Sequence, residues 1–251
     1  MKKINAYFIS DLHLDTNPGP EEIDQQNKFI NFINDIRNDI THLYIVGDLF
    51  DFWYEYKYTI PKMYFQFLHL FKGLTDQGIE MHYLAGNHDF ALGNFFDKEL
   101  NIKTHLNTYI FELADKKFYL FHGDGVAKKD VGYRFLKRIL RNKTNQKLFR
   151  WLHPDWGIPL AKIVSGSSRK YTNQMNLERD ESDYIEFAET KFDEGYDYVL
   201  MGHRHNPLKH DKEGHTYINL GDWITLFSYA VFDGEKLDLK FLDPDNAPKK
   251  V

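Results

Sequence analysis

Short apolar runs, each closed by an acid or a turn residue, recur through the first third of the chain. Asn5 to Ser10 ends at Asp11, His42 to Val46 ends at Gly47-Asp48, and Met81 to Leu84 leads into Gly86-Asn87-His88-Asp89. Runs of this length and character predict buried strands. Between them, Glu21 to Arg37 places Ile23, Phe29, Ile30, Phe32, Ile33 and Ile36 near helical spacing, and Pro61 to Phe71 reads as a second helix. Strands alternating with helices in this way predict α/β layering. Further on, Thr108 to Leu113 and Lys117 to Phe121 read as a hairpin turning at Asp115-Lys116, and Asp180 to Glu194 as a helix. Tyr198 to Met201, His215 to Asn219, Thr225 to Phe232 and Lys236 to Leu242 read as four more strands, expected to form a second sheet. Lys128 to Asn176 interrupts this pattern and reads as a helical insertion. The expectation is one domain over residues 1–251, with the insertion at about 128–176 and a loose tail from Pro244.

Composition narrows the chemistry. Cysteine is absent from the 251 residues, so there are no disulfides and no thiolate ligands. Any metal must be held by His, Asp, Asn or Glu. The basic start, Met1-Lys2-Lys3, is followed by a run broken at Asn5 and ended by Asp11, which reads as a first strand rather than an export signal. No apolar stretch approaches the ~18 residues of a spanning helix, so the chain is expected to be soluble or at most peripheral.

The net charge of −5 conceals an asymmetry. Lys128 to Arg150 carries nine of the 32 Lys and Arg residues but one of the 37 acids, Asp130. That leaves 23 basic and 36 acidic residues elsewhere. On a helix, Arg134, Lys137, Arg138 and Arg141 share one face, with Tyr133, Phe135, Leu136, Ile139 and Leu140 on the other. An ordinary surface helix has this pattern. So does a segment that meets an anionic membrane. Nucleic acid is a third possibility, disfavoured by the acidic remainder.

The candidate chemistry sits where the predicted strands end. Asp11, His13, Asp48, Asn87, His122, His203 and His205 each lie at or just past a strand terminus. Taken singly, Asp-x-His or Gly-Asp is usually a cap or a turn. Five such blocks in order argue for a shared purpose. Seven nitrogen and oxygen ligands exceed what one catalytic zinc uses and suit two adjacent divalent ions of manganese, iron or zinc. Two ions ~3.5–4 Å apart can clamp a phosphoryl group and generate hydroxide as the nucleophile. His88 then remains as a group that could stabilise charge or protonate a leaving oxygen, with Asp89 orienting its ring. The other histidines read as structural.

With Asp11-Leu12-His13, Gly47-Asp48, Gly86-Asn87-His88-Asp89, His122 and Gly202-His203-Arg204-His205 all present in order, the chain resembles the calcineurin-like metallophosphoesterases. The resemblance implies a four-layer fold, two mixed sheets face to face with helices outside. It also implies two metal ions, with manganese the expected metal, one held by Asp11, His13, Asp48 and His205 and the other by Asp48, Asn87, His122 and His203. His88 is the implied acid. A narrower resemblance is to the UDP-2,3-diacylglucosamine diphosphatases of lipid A synthesis. It rests on Gly47-Asp48-Leu49-Phe50 with Trp53, on Asn87-x-Asp89-Phe90 with Leu92-Gly93, on His122-Gly123-Asp124, on Asp130-x-Gly132-Tyr133, and on Gly221-Asp222-Trp223. Those enzymes commonly carry Arg where this chain has His88.

This narrower resemblance implies cleavage of a nucleotide-linked glycolipid to UMP and 2,3-diacylglucosamine 1-phosphate. The insertion would be a lid over the acyl chains, with Asp130, Tyr133, Arg134, Lys137, Arg138 and Arg141 as substrate-binding residues. It also implies a cytoplasmic enzyme, peripheral on the inner face of the inner membrane. Two alternatives stay open: a phosphoesterase for another nucleotide or phosphodiester, and a non-catalytic scaffold, which has no need of all seven ligands.

Overall fold

The computed structural model describes residues 3–128, 131–161 and 181–247. The first sheet has six strands, in the order β11-β10-β1-β2-β3-β4. They are β1 (Ala6–Ile9), β2 (His42–Val46), β3 (Glu80–Leu84), β4 (Lys103–His105), β10 (Ser228–Phe232) and β11 (Leu237–Phe241). The second sheet has five, in the order β5-β6-β7-β9-β8. They are β5 (Thr108–Leu113), β6 (Lys116–Phe121), β7 (Tyr198–Met201), β8 (Leu208–Lys212) and β9 (His215–Asn219). Strands β1 to β4 run parallel, as do β6, β7 and β9, while β5, β8, β10 and β11 pair antiparallel to their neighbours.

Parallel strands are buried on both faces and therefore need cover on each. One face of the first sheet is covered by α1 (Pro20–Ile36) and α2 (Phe65–Asp76), through Phe29, Phe32, Ile33, Phe67, Phe71 and Leu74. The other face meets the second sheet through Phe8, Tyr44, Val46 and Leu84 against Phe118, Leu120, Leu200 and Ile218. Stacked rings run across this join, with Phe8–Tyr44, Tyr44–Phe111 and Phe111–Phe118 centroids at 4.7, 4.8 and 4.8 Å. The outer face of the second sheet packs on α7 (Ser182–Asp193) through Tyr184, Ala188 and Phe192. The result is helices, sheet, sheet and helix, the four layers expected.

Two expectations need correction. The last two strands do not belong to the second sheet. β10 returns to pair with β1, Tyr7 opposite Val231, and β11 follows it as the edge of the first sheet. The strand expected from Thr225 starts only at Ser228. The Asp222 carboxylate accepts from the backbone N–H groups of Ile224, Thr225 and Leu226 at 2.8, 2.6 and 3.1 Å, coiling that stretch into a turn. The sequence pattern also gave no sign of α3 (Phe95–Glu99), β4 or β8.

In the insertion, α4 (Val131–Leu140) and α5 (Lys143–Phe149) are followed by a helical stretch, α6, over 154–161. Asn142 caps α5 by accepting from the N–H groups of Thr144 and Asn145. Residues 162–176 of the expected insertion lie outside the described residues.

Candidate metal centre

Because β1, β2 and β3 are parallel in one sheet and β6 and β7 in the other, their carboxyl ends open on a common edge. Asp11 and His13 follow β1, Asp48 follows β2, Asn87 follows β3, His122 follows β6, and His203 and His205 follow β7. All seven expected ligands therefore meet, although they lie up to 194 positions apart in the chain. Asp11 Oδ1 is 3.7 Å from His13 Nε2 and 3.3 Å from His205 Nε2, and these two nitrogens face each other at 3.2 Å. Asp48 Oδ2 is 3.2 Å from His122 Nε2, and Asn87 Oδ1 lies 3.0 Å from that nitrogen and 2.9 Å from His203 Nδ1. The same Asp48 oxygen is 3.8 Å from His13 Nε2, so it joins the two groups.

The backbone takes unusual shapes to achieve this. Asp11, His13, Asp48, His203 and His205 all have positive φ, between 49° and 71°. Left-handed backbone at a non-glycine residue costs about 1 kcal/mol or more, and here it turns alternate side chains inward just past the strand ends. Two glycines supply room. A Cβ on Gly86 would lie 2.1 Å from Asp48 Oδ1, and one on Gly202 would lie 2.4 Å from Asp11 Oδ2. Those two oxygens are held by the opposite loops, Asp48 Oδ1 accepting from His88 N at 2.9 Å and Asp11 Oδ2 from His203 N at 2.9 Å. Each carboxylate thus keeps one oxygen for the fold and turns the other toward the imidazoles.

The outer nitrogens of the histidines are fixed as well. His122 Nδ1 donates to Val46 O at 2.9 Å, and His13 Nδ1 lies 3.1 Å from Asp51 Oδ1. Both leave Nε2 for the centre, the usual way a second partner sets the tautomer of a metal-binding imidazole. Asp51 was not among the expected site residues. Its backbone carbonyl also lies 3.3 Å from His88 Nδ1. Since a carbonyl only accepts, His88 Nδ1 carries a proton and Nε2, 3.9 Å from Asp48 Oδ2, is the nitrogen that can take or give one.

Asp89 has different work from that expected. Its carboxylate accepts from Leu49 N at 2.8 Å, Gly86 N at 2.7 Å and the Tyr83 hydroxyl, lacing the Asn87 loop to the Asp48 loop. The ring of His88 is oriented by Asp51 instead. Burial, followed by the charge of Asp48, pushes the Asp89 carboxyl up to about 6.

Electrostatically the centre calls for positive charge. Burial opposes ionisation of His13, yet Asp11, Asp51 and Asp48 outweigh it and push its pKa up to about 10. Burial likewise opposes charge on His122, which Asp48 chiefly raises to about 10. Asp11 and Asp48 resist the burial that would neutralise them, and the facing imidazoles hold both well below the carboxylate range. His203 goes the other way, to about 4, through burial and the charge of His122. Asp11 Oδ1 is buried without a hydrogen-bond partner. An orphaned carboxylate oxygen between two inward imidazole nitrogens fits a cation, since buried polar atoms are otherwise paired. Among the described residues, every cluster able to hold a metal draws only on these ligands and His88.

A cavity of about 400 Å³ opens beside the centre. Asn87, His88, Lys137 and Arg141 give it polar lining, and Phe52, Phe90, Ile139, Leu140, Phe149 and Leu160 supply apolar wall. Of the residues expected to bind substrate, Tyr133, Lys137 and Arg141 line this cavity. Arg134 instead donates to the carbonyls of Gly125, Ala127 and Lys128. Arg138 is exposed and is not part of the lining, and Asp130 lies outside the described residues. The amphipathic insertion is also turned over relative to the simplest expectation. Part of its basic face looks inward, while Phe135, Leu148, Trp151 and Trp156 are exposed.

Residues 4–207 match the family described as calcineurin-like phosphoesterase. A curated relative from Porphyromonas gingivalis, named UDP-2,3-diacylglucosamine hydrolase, is 32% identical, covering 94% of this chain and 97% of its own. Proteins of the same name from Haemophilus influenzae and Vibrio parahaemolyticus are 32% and 29% identical over 87% and 94% of this chain and 90% and 98% of theirs.

Proposed function

The chain belongs to the calcineurin-like phosphoesterase family, and from that premise we propose that it hydrolyses the pyrophosphate bond of UDP-2,3-diacylglucosamine. Water and the substrate give UMP and 2,3-diacylglucosamine 1-phosphate, with one P–O bond broken and one formed. The observation that carries this reading is the continuity of the cavity, from Asn87 and His88 to an apolar wall within the insertion. A small soluble diester has no use for that wall, whereas two acyl chains do. The names of the relatives agree.

Asp11, His13, Asp48 and His205 would hold one divalent ion, and Asp48, Asn87, His122 and His203 the other. Manganese is the proposed metal, with iron or zinc as alternatives. When bound, such a pair supplies Lewis acidity and lowers the pKa of water. His88, its Nδ1 proton fixed by Asp51, uses Nε2 to protonate the departing oxygen. Lys137 and Arg141 bind phosphoryl oxygens at the mouth of the cavity. Ile139, Leu140 and Phe149 receive acyl chain.

We further propose that the enzyme works at the cytoplasmic face of the inner membrane as a peripheral protein. Among the described residues no helix is long and apolar enough to cross a membrane. The exposed Phe135, Leu148, Trp151 and Trp156 would dip into the lipid surface from which the substrate is drawn. The basic face contributes less to this docking than its sequence suggests, because Lys137 and Arg141 are engaged by Asp124.

The test is to incubate manganese-loaded protein with UDP-2,3-diacylglucosamine and, separately, with bis(p-nitrophenyl) phosphate. UMP release that stops on chelation is the expected result. Cleavage of the diester alone would instead favour a phosphodiesterase, a reading that His88, in place of the Arg of the glycolipid enzymes, keeps available.

A further inference from the structure

Three donors on α4 converge on one buried acid. Tyr133, Lys137 and Arg141 are spaced four residues apart, so they form a single stripe along the helix and its last turn. All three point at Asp124 Oδ2, with the Tyr133 hydroxyl at 2.8 Å, Lys137 Nζ at 2.6 Å and Arg141 at 3.6 Å. Asp124 is 3% exposed and stands two residues after the ligand His122. Lys137 also donates to the Asp124 carbonyl at 3.3 Å, and Arg141 donates to Gly86 O, at the start of the Asn87-His88 loop, at 2.9 Å. The insertion is thereby fastened to two metal-bearing loops at its inner face.

We propose that Asp124 is a positioning residue that presets Lys137 and Arg141 as a cationic arm for the diphosphate of the substrate. Two like charges set side by side repel, and one shared carboxylate between them relieves this while leaving one net positive charge. It does so without occupying every donor: Lys137 keeps a third proton, and Arg141, whose terminal nitrogens also donate to Leu106 O, Asn107 Oδ1 and Gly86 O, keeps its Nε–H and its charge for a ligand. Both cations border the cavity beside Asn87 and His88, where a phosphoryl group next to the reacting one would lie. A preset arm removes the cost of ordering two long side chains at each binding event. The arm also supplies the charge at the phosphate that position 88 does not carry as a permanent cation. This inference rests on the diphosphate reading above and specifies which residues recognise the diphosphate.

The test compares wild type with Asp124→Asn, which keeps the shape and removes the charge, and with Lys137→Met. Expected for Asp124→Asn is a KM for UDP-2,3-diacylglucosamine raised about tenfold, with kcat within about threefold. Bis(p-nitrophenyl) phosphate turnover and manganese content should stay unchanged. Calorimetry with UDP on manganese-loaded protein should show the same tenfold weakening, and the Lys137→Met effect should be mostly absorbed in the double variant. Equal losses on both substrates, or loss of manganese, would mean that Asp124 merely supports the His122 loop and would overturn the proposal. If wild type fails to cleave the glycolipid, the functional reading falls, and the UDP binding comparison still decides the role of Asp124: unchanged affinity in Asp124→Asn overturns it.

Discussion

The metal centre and the insertion sit side by side and are built on opposite plans. At the centre, Asp11, His13, Asp48 and His122 are buried, the outer oxygens of the two carboxylates and the outer nitrogens of His13 and His122 have partners on other segments, and five of the expected ligands hold left-handed backbone. In the insertion, several apolar rings face outward, and among the described residues its ties to the core run through the stripe on Asp124, Arg141 on Leu106 O and Asn107, the Tyr54 hydroxyl on Gln146 O, and Phe149 against Phe52 and Tyr54. The difference teaches a division of labour. Chemistry at a phosphorus atom tolerates little displacement and is set in an over-determined frame. Recognition of flexible acyl chains needs area, which exposed apolar surface can supply.

This division can be broken most severely at Asp48. Its Oδ2 lies within 4 Å of an imidazole nitrogen in each ligand group, so Asp48→Ala should lose both ions and fall to the activity of chelated protein on every substrate. Metal analysis together with diester hydrolysis checks this. His88→Ala should keep its metal and lower kcat by about 10²–10⁴-fold on glycolipid and diester alike. His88→Arg sharpens the point, since recovery by Arg would show that charge rather than a proton is what position 88 supplies. Asp51→Asn, which weakens the partner of His13 Nδ1 while leaving the backbone carbonyl that faces His88 in place, should cost about 10–100-fold in activity or metal affinity, visible in manganese titrations.

Changes in the insertion should discriminate between substrates where those in the centre do not. Leu140→Asp or Phe149→Asp should raise KM for the glycolipid about 10–100-fold, the loss of one apolar side chain's contact with the bound acyl group. Kinetics on bis(p-nitrophenyl) phosphate should be unaltered.

The smallest expected effect is on stability and is confined to the centre. In chelated protein the raised His13 and His122 contribute stability that is full below about pH 6.5 and is lost as pH rises through about 10. Tm of chelated protein should therefore fall by a few degrees over that range, whereas manganese-loaded protein should hold its Tm. Metal uptake near pH 8 should release protons in a weakly buffered dye assay.

The same contrast explains what could be read in advance. The candidate ligands were legible because each follows a short apolar run and belongs to a chemically narrow set. Their left-handed backbone carries no signature, since Asp and His are ordinary turn residues. Asp51 and Asp124 were hidden for another reason. Both stand in stretches already singled out, but their roles depend on reaching His13, His88, Lys137 and Arg141 across the fold. β4 and β8 escaped notice because Lys103-Thr104-His105 and Leu208 to Lys212 are polar edge strands without alternation. The return of β10 to β1 is a long-range pairing that local pattern does not encode. In the insertion the two faces of α4 were visible, but not which would turn inward. That was decided by Asp124, a buried acid that draws cations toward the core.

The central claim is that the metal centre cleaves and the insertion selects. It is tested most directly by comparing kcat/KM of manganese-loaded wild type for UDP-2,3-diacylglucosamine and for UDP-N-acetylglucosamine, which share the reacting diphosphate and differ in acyl surface. The account predicts a preference of at least about 100-fold for the diacylated sugar, equivalent to one well-buried side chain's worth of apolar contact. Equal values for the two would contradict it.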